Sequence, residues 1–232
     1  MITFVSEFIN LFFPKVCLSC NSRLQKKEHI LCSRCKKKID FFTDCCLICG
    51  SEKDNNTCHT CETSEFYFDR ARSVFRFNKT IQNLIHNLKY NEITSLAKFF
   101  GDYCVKYLTE YRPFEKIDII TPVPLHKVKK RARGFNQAEI VAREIARKKE
   151  FKYIPNLIKR KKFTNTQTKL SKFERIKNVS NAFKINHKYP LKNKNILLID
   201  DVFTTGSTVN AVSKLLKNNN VNKIYVLTIA RA

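Results

Sequence analysis

The spacing of apolar positions along the chain changes repeatedly between two periods, which predicts strands separated by helices. Residues 66–77 alternate between apolar and polar side chains and predict strands. Residues 79–110 carry apolar side chains three and four positions apart and predict helix. Residues 117–121 predict a strand that stops at a pair of prolines, because proline cannot continue a sheet ladder. A helix is predicted over 137–149.

The C-terminal part continues this alternation after a polar interruption. Residues 159–181 are basic and lack an apolar period, so they predict a long loop. Residues 195–200 are nearly all apolar, which is typical of a strand buried on both faces of a sheet. A helix over 209–216 and a strand over 224–229 follow. Strands that alternate with helices in this way predict an α/β fold with a parallel sheet flanked by helices.

The N-terminal run 2–13 is apolar but ends at Pro14 and contains Glu7. It is too short to cross a bilayer, and it lacks the basic segment and cleavage site of an export signal. We therefore expect a short amphipathic helix that docks on the body. Nothing later in the chain resembles a membrane span, so we expect a cytoplasmic protein without stable membrane insertion.

Nine of the ten cysteines lie between residues 17 and 61, and eight of them form Cys-x-x-Cys pairs. A two-residue gap lets a tight turn direct both thiolates at one metal ion, and two such pairs complete a tetrahedral zinc site. Four thiolates leave no open position for a substrate, so the predicted zinc ions, two in number, are structural. The pairs are Cys17 and Cys20, Cys32 and Cys35, Cys46 and Cys49, and Cys58 and Cys61.

The cysteine pattern leaves several alternatives open. Spacers of 11 and eight residues inside the two halves suit two successive sites, but they also allow a cross-braced arrangement. A disulfide framework would need an oxidising compartment. Cys45 could replace Cys46 as a ligand, whereas His59 is not needed because the cysteines fill the ligand count. Such a module contacts nucleic acid or protein in some chains and only supports folding in others.

Positive charge is concentrated in one segment. The formal net charge is +24, and residues 127–194 hold 22 Lys/Arg against four Asp/Glu. A field of this size attracts polyanions such as nucleic acid, and it also favours a phosphate-rich small ligand. A general bias of the source proteome towards lysine would explain part of the total, but it explains the clustering less well.

The strongest candidate site is the run from residue 196 to residue 208. A buried strand ends in Asp200 and Asp201, whose carboxylates can accept hydrogen bonds from two ribose hydroxyls. The bend after them is small and hydroxylated and leads into a helix, so its N–H groups and hydroxyls can surround a phosphate. The alternative is that the acids cap a turn and the bend caps a helix. The bend consists of Thr204, Thr205, Gly206, Ser207 and Thr208.

This run resembles the phosphoribosyl-pyrophosphate (PRPP) motif of the type I phosphoribosyltransferases. Nearly the whole chain resembles the ComF family, in which a zinc ribbon precedes a phosphoribosyltransferase domain. The resemblance implies an N-terminal helix plus a zinc-binding module over 1–65 and a phosphoribosyltransferase-like domain over 66–232. It is carried by the cysteine pairs and by Leu88-Lys89-Tyr90, Pro122-Val123-Pro124-Leu125, Arg133-Gly134-Phe135-Asn136-Gln137, Arg160, Gln167-Thr168-x-Leu170-Ser171, Arg175-x-x-Asn178-Val179 and Phe183.

The resemblance also implies roles for residues outside the main run. The turn Pro122-Val123-Pro124 is expected to hold pyrophosphate through backbone amides, with an unusual peptide at the turn. Arg133, Arg160 and Arg175 are candidates for neutralising the pyrophosphate, because arginine binds phosphate oxygens in a bidentate manner. In catalysis, Arg160 and Arg175 would act with the two acids. Mg²⁺ is implied as the cation that accompanies PRPP.

Three functions are compatible with these residues. The first is a PRPP-binding protein that assists natural transformation by handling single-stranded DNA, together with other DNA-uptake proteins. The second is a transferase that acts on a nucleobase or another nitrogen acceptor, although the sequence has no recognisable base-binding element or ammonia-delivering domain. The third is a catalytically inactive PRPP sensor or docking module. The rings that could stack on DNA, or instead lie in the core, are Phe135, Phe151, Tyr153, Phe163 and Phe173.

Overall fold

The computed structural model of the protein describes residues 14–54, 57–91, 93, 95–161 and 182–232. The expected N-terminal helix lies outside these residues. Within them are seven strands: β1 (Arg70–Arg76), β2 (Ile119–Pro122), β3 (Lys152–Tyr153), β4 (Ile158–Arg160), β5 (Phe183–Ile185), β6 (Asn195–Phe203) and β7 (Lys223–Arg231).

Five of these strands form a parallel sheet in the order β1-β7-β6-β2-β3, and β4 and β5 form an antiparallel pair. None of the helices among the described residues has the length and apolar character needed to cross a membrane. The helices are α1 (Ser33–Lys36), α2 (His59–Thr63), α3 (Lys79–Tyr90), α4 (Ser95–Tyr111), α5 (Lys127–Arg133), α6 (Gln137–Lys149) and α7 (Ser207–Lys217).

Most predicted elements are present, with shifted boundaries. Helix α6 has the predicted bounds, because Asn136 accepts a hydrogen bond from the N–H of Ala138 and caps its first turn. The single helical region over 79–110 is two helices, α3 and α4. The strand predicted over 66–77 is shorter, and β4 includes residues 159 and 160 of the predicted loop. The rest of that predicted loop, residues 162–181, lies outside the described residues.

The strand that carries the candidate acids is longer than predicted. Strand β6 continues three residues past Asp200, because Asp200, Val202 and Phe203 still pair with β7. On its other side β6 loses its partner, since β2 ends at Pro122 opposite Ile199. The two acids therefore lie in the last part of a strand that has a neighbour on one side only.

Alternating side chains of the sheet face two hydrophobic cores. One core joins Leu197 and Leu227 with helices α3, α4 and α6. The other joins Ile196 and Val226 with helix α7 and the β4–β5 pair. Because both faces are covered, the central strands are apolar in their middle parts, over 196–199 in β6 and 224–227 in β7, and the sequence predicted this burial for 195–200.

The cysteine-rich segment covers the open edge of the sheet. Strand β1 is the edge strand, and its backbone pairs with this segment at two places. The N–H of Phe42 donates to the carbonyl of Val74 at 2.9 Å, and the N–H of Ala71 donates to the carbonyl of Ile48 at 2.7 Å. Covering an edge strand satisfies its backbone groups and prevents pairing with other chains.

Candidate ligand and metal sites

The two candidate acids lie near the carboxyl end of β6, beside the end of the parallel strand β2, and α/β folds bind ligands at this edge of the sheet. The N–H of Val123 donates to the carbonyl of Ile199 at 2.8 Å, which places the end of β2 beside Asp200. The Nδ2 of Asn136 donates to the carbonyl of Val123 at 3.0 Å and fixes the start of α6 against the same turn. Helix α6 is thereby attached to this edge of the sheet.

The bend after the acids is accessible, as a ligand site requires. Thr204, Thr205 and Ser207 are exposed, and Thr208 is half-buried. The hydroxyls of Thr205 and Ser207 lie 2.7 Å apart. The bend leads directly into the 11-residue helix α7, whose first N–H groups face the same region. The sequence prediction of a hydroxylated bend between the acids and a helix is therefore matched by the geometry.

Gly206 holds the bend in a conformation that other residues rarely adopt. Its φ is +73°, in the left-handed region that favours glycine. A Cβ at this position would lie 2.5 Å from the Cζ of Phe203, whose side chain is buried. The glycine is thus required both by the backbone and by the ring beneath it.

Lys89 is a site residue that the sequence motifs did not assign to any role. Its Nζ lies 2.7 Å from the Oδ2 of Asp201, and both side chains are about four-fifths buried. Lys89 comes from the end of α3, far from the acids in sequence. Its only signal was its place in the Leu88-Lys89-Tyr90 motif, because helical periodicity cannot show which distant residue a polar side chain meets.

The two acids differ in electrostatic environment. Burial and the adjacent charge of Asp201 raise the pKa of Asp200 to about 7. The backbone N–H of Asp201, which donates to Asp200 Oδ1 at 2.8 Å, and the positive charges of Lys89 and Arg160 act in the opposite direction but do not prevail. Asp200 therefore titrates near neutral pH, whereas Asp201 carries the ion pair.

Two of the three predicted arginines lie in the described residues, and Arg160 is the one that acts on the acids. Arg160 acts electrostatically on Asp200, and its guanidinium lies 5.3 Å from the ring centre of Phe183. Burial lowers the pKa of Arg160. Arg133 lies over the ring of Tyr90, the residue after Lys89, at 5.2 Å. Arg175 lies outside the described residues.

The Pro122-Val123-Pro124 turn differs from its expected role. No peptide bond in the described part of the chain is cis, so the unusual peptide is not found there. Proline has no N–H, and the N–H of Val123 already donates to Ile199. These three residues therefore offer no free amide to a pyrophosphate, and the observed role of the turn is to end β2 and hold Asn136.

The eight paired cysteines form two clusters that could each hold a metal ion. In each cluster the four sulfur atoms lie within 4.8 Å of one another. The clusters use successive pairs, so the arrangement is sequential and not cross-braced. The members are Cys17, Cys20, Cys32 and Cys35 in the first cluster, and Cys46, Cys49, Cys58 and Cys61 in the second.

The sulfur separations suit zinc and not disulfides. The Sγ atoms of Cys49 and Cys58 are 3.4 Å apart, and those of Cys20 and Cys32 are 3.7 Å apart. Four thiolates about 2.3 Å from a tetrahedral ion are separated by about 3.8 Å, whereas a disulfide needs about 2.05 Å. All ten cysteines are free in this structure, so it contains no disulfide framework.

Residues around the second cluster support its thiolates. The Oγ of Ser51 lies 2.7 Å from the Sγ of Cys49 and 3.1 Å from that of Cys58. Cys45 is buried but belongs to neither cluster, whereas Cys46 is a member of the second, as its spacing favoured. His59 is exposed and contacts Glu62 at 3.2 Å, which agrees with its exclusion from the ligand set.

Comparison with known proteins agrees with this architecture. The family described as "Phosphoribosyl transferase domain" matches residues 131–232. The chain is 31% identical over 229 residues to competence protein F of Haemophilus influenzae, covering 95% of this chain and 99% of that protein. It is 26% identical to the DNA utilization protein YhgH of Escherichia coli K12 (95% and 99% covered) and 24% identical to competence protein ComFC of Bacillus subtilis (94% and 95% covered). The chain belongs to the ComF family.

Proposed function

We propose that this protein binds PRPP at Asp200, Asp201 and the bend 204–208, and that it handles incoming single-stranded DNA in the cytoplasm with other DNA-uptake proteins. The observation that carries the proposal is the exposed hydroxylated bend at the start of α7, directly after two acids at a strand end. The names of the relatives, which refer to competence and DNA utilization, support the second part.

The acids and the bend would each bind a different part of PRPP. The carboxylates of Asp200 and Asp201 would accept hydrogen bonds from the ribose hydroxyls, and the bend would hold the 5′-phosphate at the positive end of α7. In the structure, the carboxylate of Asp201 forms an ion pair with Lys89. Ribose binding to that carboxylate would therefore displace Lys89 or share the carboxylate with it, which leaves its charge next to the ligand.

Metal ions would have separate roles at the two kinds of site. Zinc in the cysteine clusters would be structural, because each cluster supplies four thiolates. Mg²⁺ would arrive with PRPP, since the pyrophosphate, the ribose oxygens and the carboxylates are the hard oxygen donors that this ion prefers. Arg160 and Arg133 would neutralise the remaining pyrophosphate charge, and Arg175 is proposed for the same role from its motif alone.

A second candidate function, phosphoribosyl transfer to a nitrogen acceptor, is favoured by the pKa of about 7 at Asp200. A carboxylate that titrates near neutral pH can accept a proton efficiently. The nitrogen would bond to C1 of the ribose, the bond from C1 to pyrophosphate would break, and the acceptor proton would pass to Asp200. Release of pyrophosphate in the presence of candidate acceptors, absent in Asp200→Asn, would distinguish transfer from binding alone.

The PRPP site is tested by calorimetry with PRPP and Mg²⁺. We expect Asp200→Ala/Asp201→Ala to weaken PRPP binding by about 100-fold or more, because two charge-assisted hydrogen-bond acceptors are lost. The matched control is Asp102→Ala/Glu110→Ala, which removes two exposed acids of α4 that form surface ion pairs. Equal PRPP affinity in the double variant and the unmodified protein would reject this site.

Single-strand binding is tested separately with a fluorescent oligothymidylate. We expect its affinity to fall steeply with salt, because phosphate contacts release counterions. Failure of the unmodified protein to bind the oligonucleotide at low salt would reject the DNA part of the proposal and leave the PRPP part in place.

A further inference from the structure

Helix α5 is a cationic element that buries none of its residues. Five of its seven residues are Lys or Arg, and the apolar side chain of Val128 is 53% exposed. Lys130 is paired with Glu139 at 3.1 Å. Lys127, Lys129 and Arg131 are exposed along the same helix. A short helix that contributes nothing to the core and carries this much charge has the character of a polyanion-binding surface.

An exposed aromatic ring lies at the end of this helix. Tyr90 is 57% exposed, which is more than any other phenylalanine or tyrosine among the described residues. Its ring contacts His86 at a centroid distance of 4.8 Å, and Arg133, the last residue of α5, lies over it at 5.2 Å. The Nη2 of Arg133 also lies 3.3 Å from the Tyr90 hydroxyl. An accessible ring beside a guanidinium is the combination on which unstacked bases bind.

The rings that the sequence offered as a stacking track are placed differently. Phe135, Phe151 and Tyr153 are partly buried against the core that includes α4 and α6. Phe163 and Phe173 lie outside the described residues. In the described part of the chain, the exposed ring that lies beside the basic helix α5 is Tyr90, which comes from α3 and not from the basic segment itself.

We propose that single-stranded DNA binds across α5, with its phosphates on Lys127, Lys129 and Arg131 and a base stacked on Tyr90. This inference rests on the proposed DNA-handling function and assigns the surface that performs it. Single-stranded DNA fits better than duplex DNA, because a base can reach an exposed ring only when it is not stacked and paired. The surface borders the PRPP site, since Tyr90 follows Lys89, which pairs with Asp201.

The stacking contact is tested by changing the ring. Tyr90→Leu should weaken oligothymidylate binding by about 5- to 100-fold, and Tyr90→Phe should bind within about twofold of the unmodified protein, because phenylalanine keeps the ring. The matched control is Tyr111→Leu, which removes a ring that is 46% exposed at the end of α4. Equal losses in Tyr90→Leu and Tyr111→Leu, or none in either, would overturn the stacking assignment.

The phosphate contacts are tested by removing charge from α5. Lys127→Gln/Lys129→Gln/Arg131→Gln should lower the slope of log affinity against log salt by about 2, because each phosphate contact on a single strand contributes about 0.7. The control Lys36→Gln/Lys37→Gln/Lys38→Gln removes the same charge from the exposed surface of the cysteine module. If the control lowers the salt slope as much as the α5 variant, binding depends on the total charge and not on its position. This result would overturn the assignment to α5.

These outcomes separate the inference from the function on which it rests. If the unmodified protein does not bind the oligonucleotide, the proposed DNA function fails. If it binds and the α5 and Tyr90 variants bind equally well, only the surface assigned here is wrong. A circular dichroism spectrum and a zinc content equal to those of the unmodified protein exclude misfolding of the variants.

Discussion

At the residue scale, Asp200 and Asp201 are the same amino acid but have different properties. Asp201 accepts an ion pair from Lys89, whereas Asp200 is surrounded by the strand end and by its neighbour's charge. Ionised Asp200 is therefore disfavoured in the folded protein. An acid whose ionised form is disfavoured lowers the stability of the folded protein while it provides a ligand contact, a combination that is common at functional sites.

This difference predicts a pH-dependent effect of Asp200→Asn on stability. Since the pKa is raised to about 7 from 3.8, the folded state binds more protons than the unfolded state between these values, and stability falls as the pH rises towards 7. Because asparagine cannot ionise, Asp200→Asn removes this fall in stability with rising pH. We expect the free energy of unfolding of Asp200→Asn, relative to the unmodified protein, to increase by about 1 kcal/mol between pH 6 and pH 8 in urea titrations.

The control for this measurement is Asp102→Asn, which removes one exposed negative charge from α4. A relative stability of Asp200→Asn that is constant over this pH range, or the same change in the control, would contradict the raised pKa. Keeping the pH at 6 or above limits protonation of the cysteine thiolates, which would release metal.

At the element scale, the bend between β6 and α7 depends on one glycine. The position has a left-handed backbone, and the buried ring of Phe203 fills the space where a Cβ would lie. Phe203 is itself fixed by Arg231, whose guanidinium lies 4.3 Å from the ring centre. The ring therefore cannot move aside easily.

Gly206→Ala should destabilise the protein by about 2–4 kcal/mol, because it combines backbone strain with a close contact to a fixed ring. Gly134→Ala is the matched control, since Gly134 has the same φ of +73° but is exposed at the end of α5. We expect the control to lose about 1 kcal/mol from the backbone alone. Equal losses of unfolding free energy in the two variants would show that the Phe203 contact has no effect.

At the scale of the whole molecule, the second cysteine cluster is connected to the bend through contacts. Arg231 donates from Nη1 to the carbonyl of Cys49 at 2.8 Å and lies over Phe203, whose ring contacts Gly206. Asn210 of α7 adds a second connection. It accepts from the N–H of Tyr67 at 2.7 Å and donates to the carbonyl of Glu65, in the segment that follows the cluster.

These connections predict that metal loss from the second cluster weakens PRPP binding. We expect the unmodified protein to contain close to two zinc ions per chain and Cys49→Ser to contain close to one. PRPP affinity in Cys49→Ser should fall by about tenfold, because the carbonyl that holds Arg231 is no longer fixed. The control Cys104→Ala removes a buried thiol outside both clusters and should keep two ions.

Two results would contradict this prediction. An unmodified protein without zinc would remove the metal assignment altogether. A Cys49→Ser variant that has lost one zinc ion but binds PRPP with unchanged affinity would show that the contacts through Arg231 do not connect the cluster to the bend.

The contacts also bear on the proposed division at residue 65. The first cluster shares a hydrophobic core with α3 and α4, and the amides of Asn83 and Asn87 donate to the carbonyls of Ser19 and Leu18 at 2.7 and 2.8 Å. The module therefore supports the helix that carries Lys89. Residues 1–65 remain a proposed N-terminal helix and zinc module, and the described residues of its first cluster are packed against the larger domain.

Features that depend on neighbours along the chain were predictable from the amino-acid sequence. Apolar period and short spacings act within a few residues, so they predicted α6, the buried strands, the cysteine pairs and the hydroxylated bend after two acids. The same local signals left open how the cysteine pairs combine, because spacing alone permits two arrangements.

Contacts between residues from distant segments were set by tertiary packing. This packing placed Lys89 against Asp201 and Tyr90 beside α5. It also grouped the cysteine pairs in succession and paired the N–H of Val123 with the carbonyl of Ile199. The physical reason is that these contacts depend on how strands and helices pack, and side chains far apart in sequence carry no periodic signal of one another.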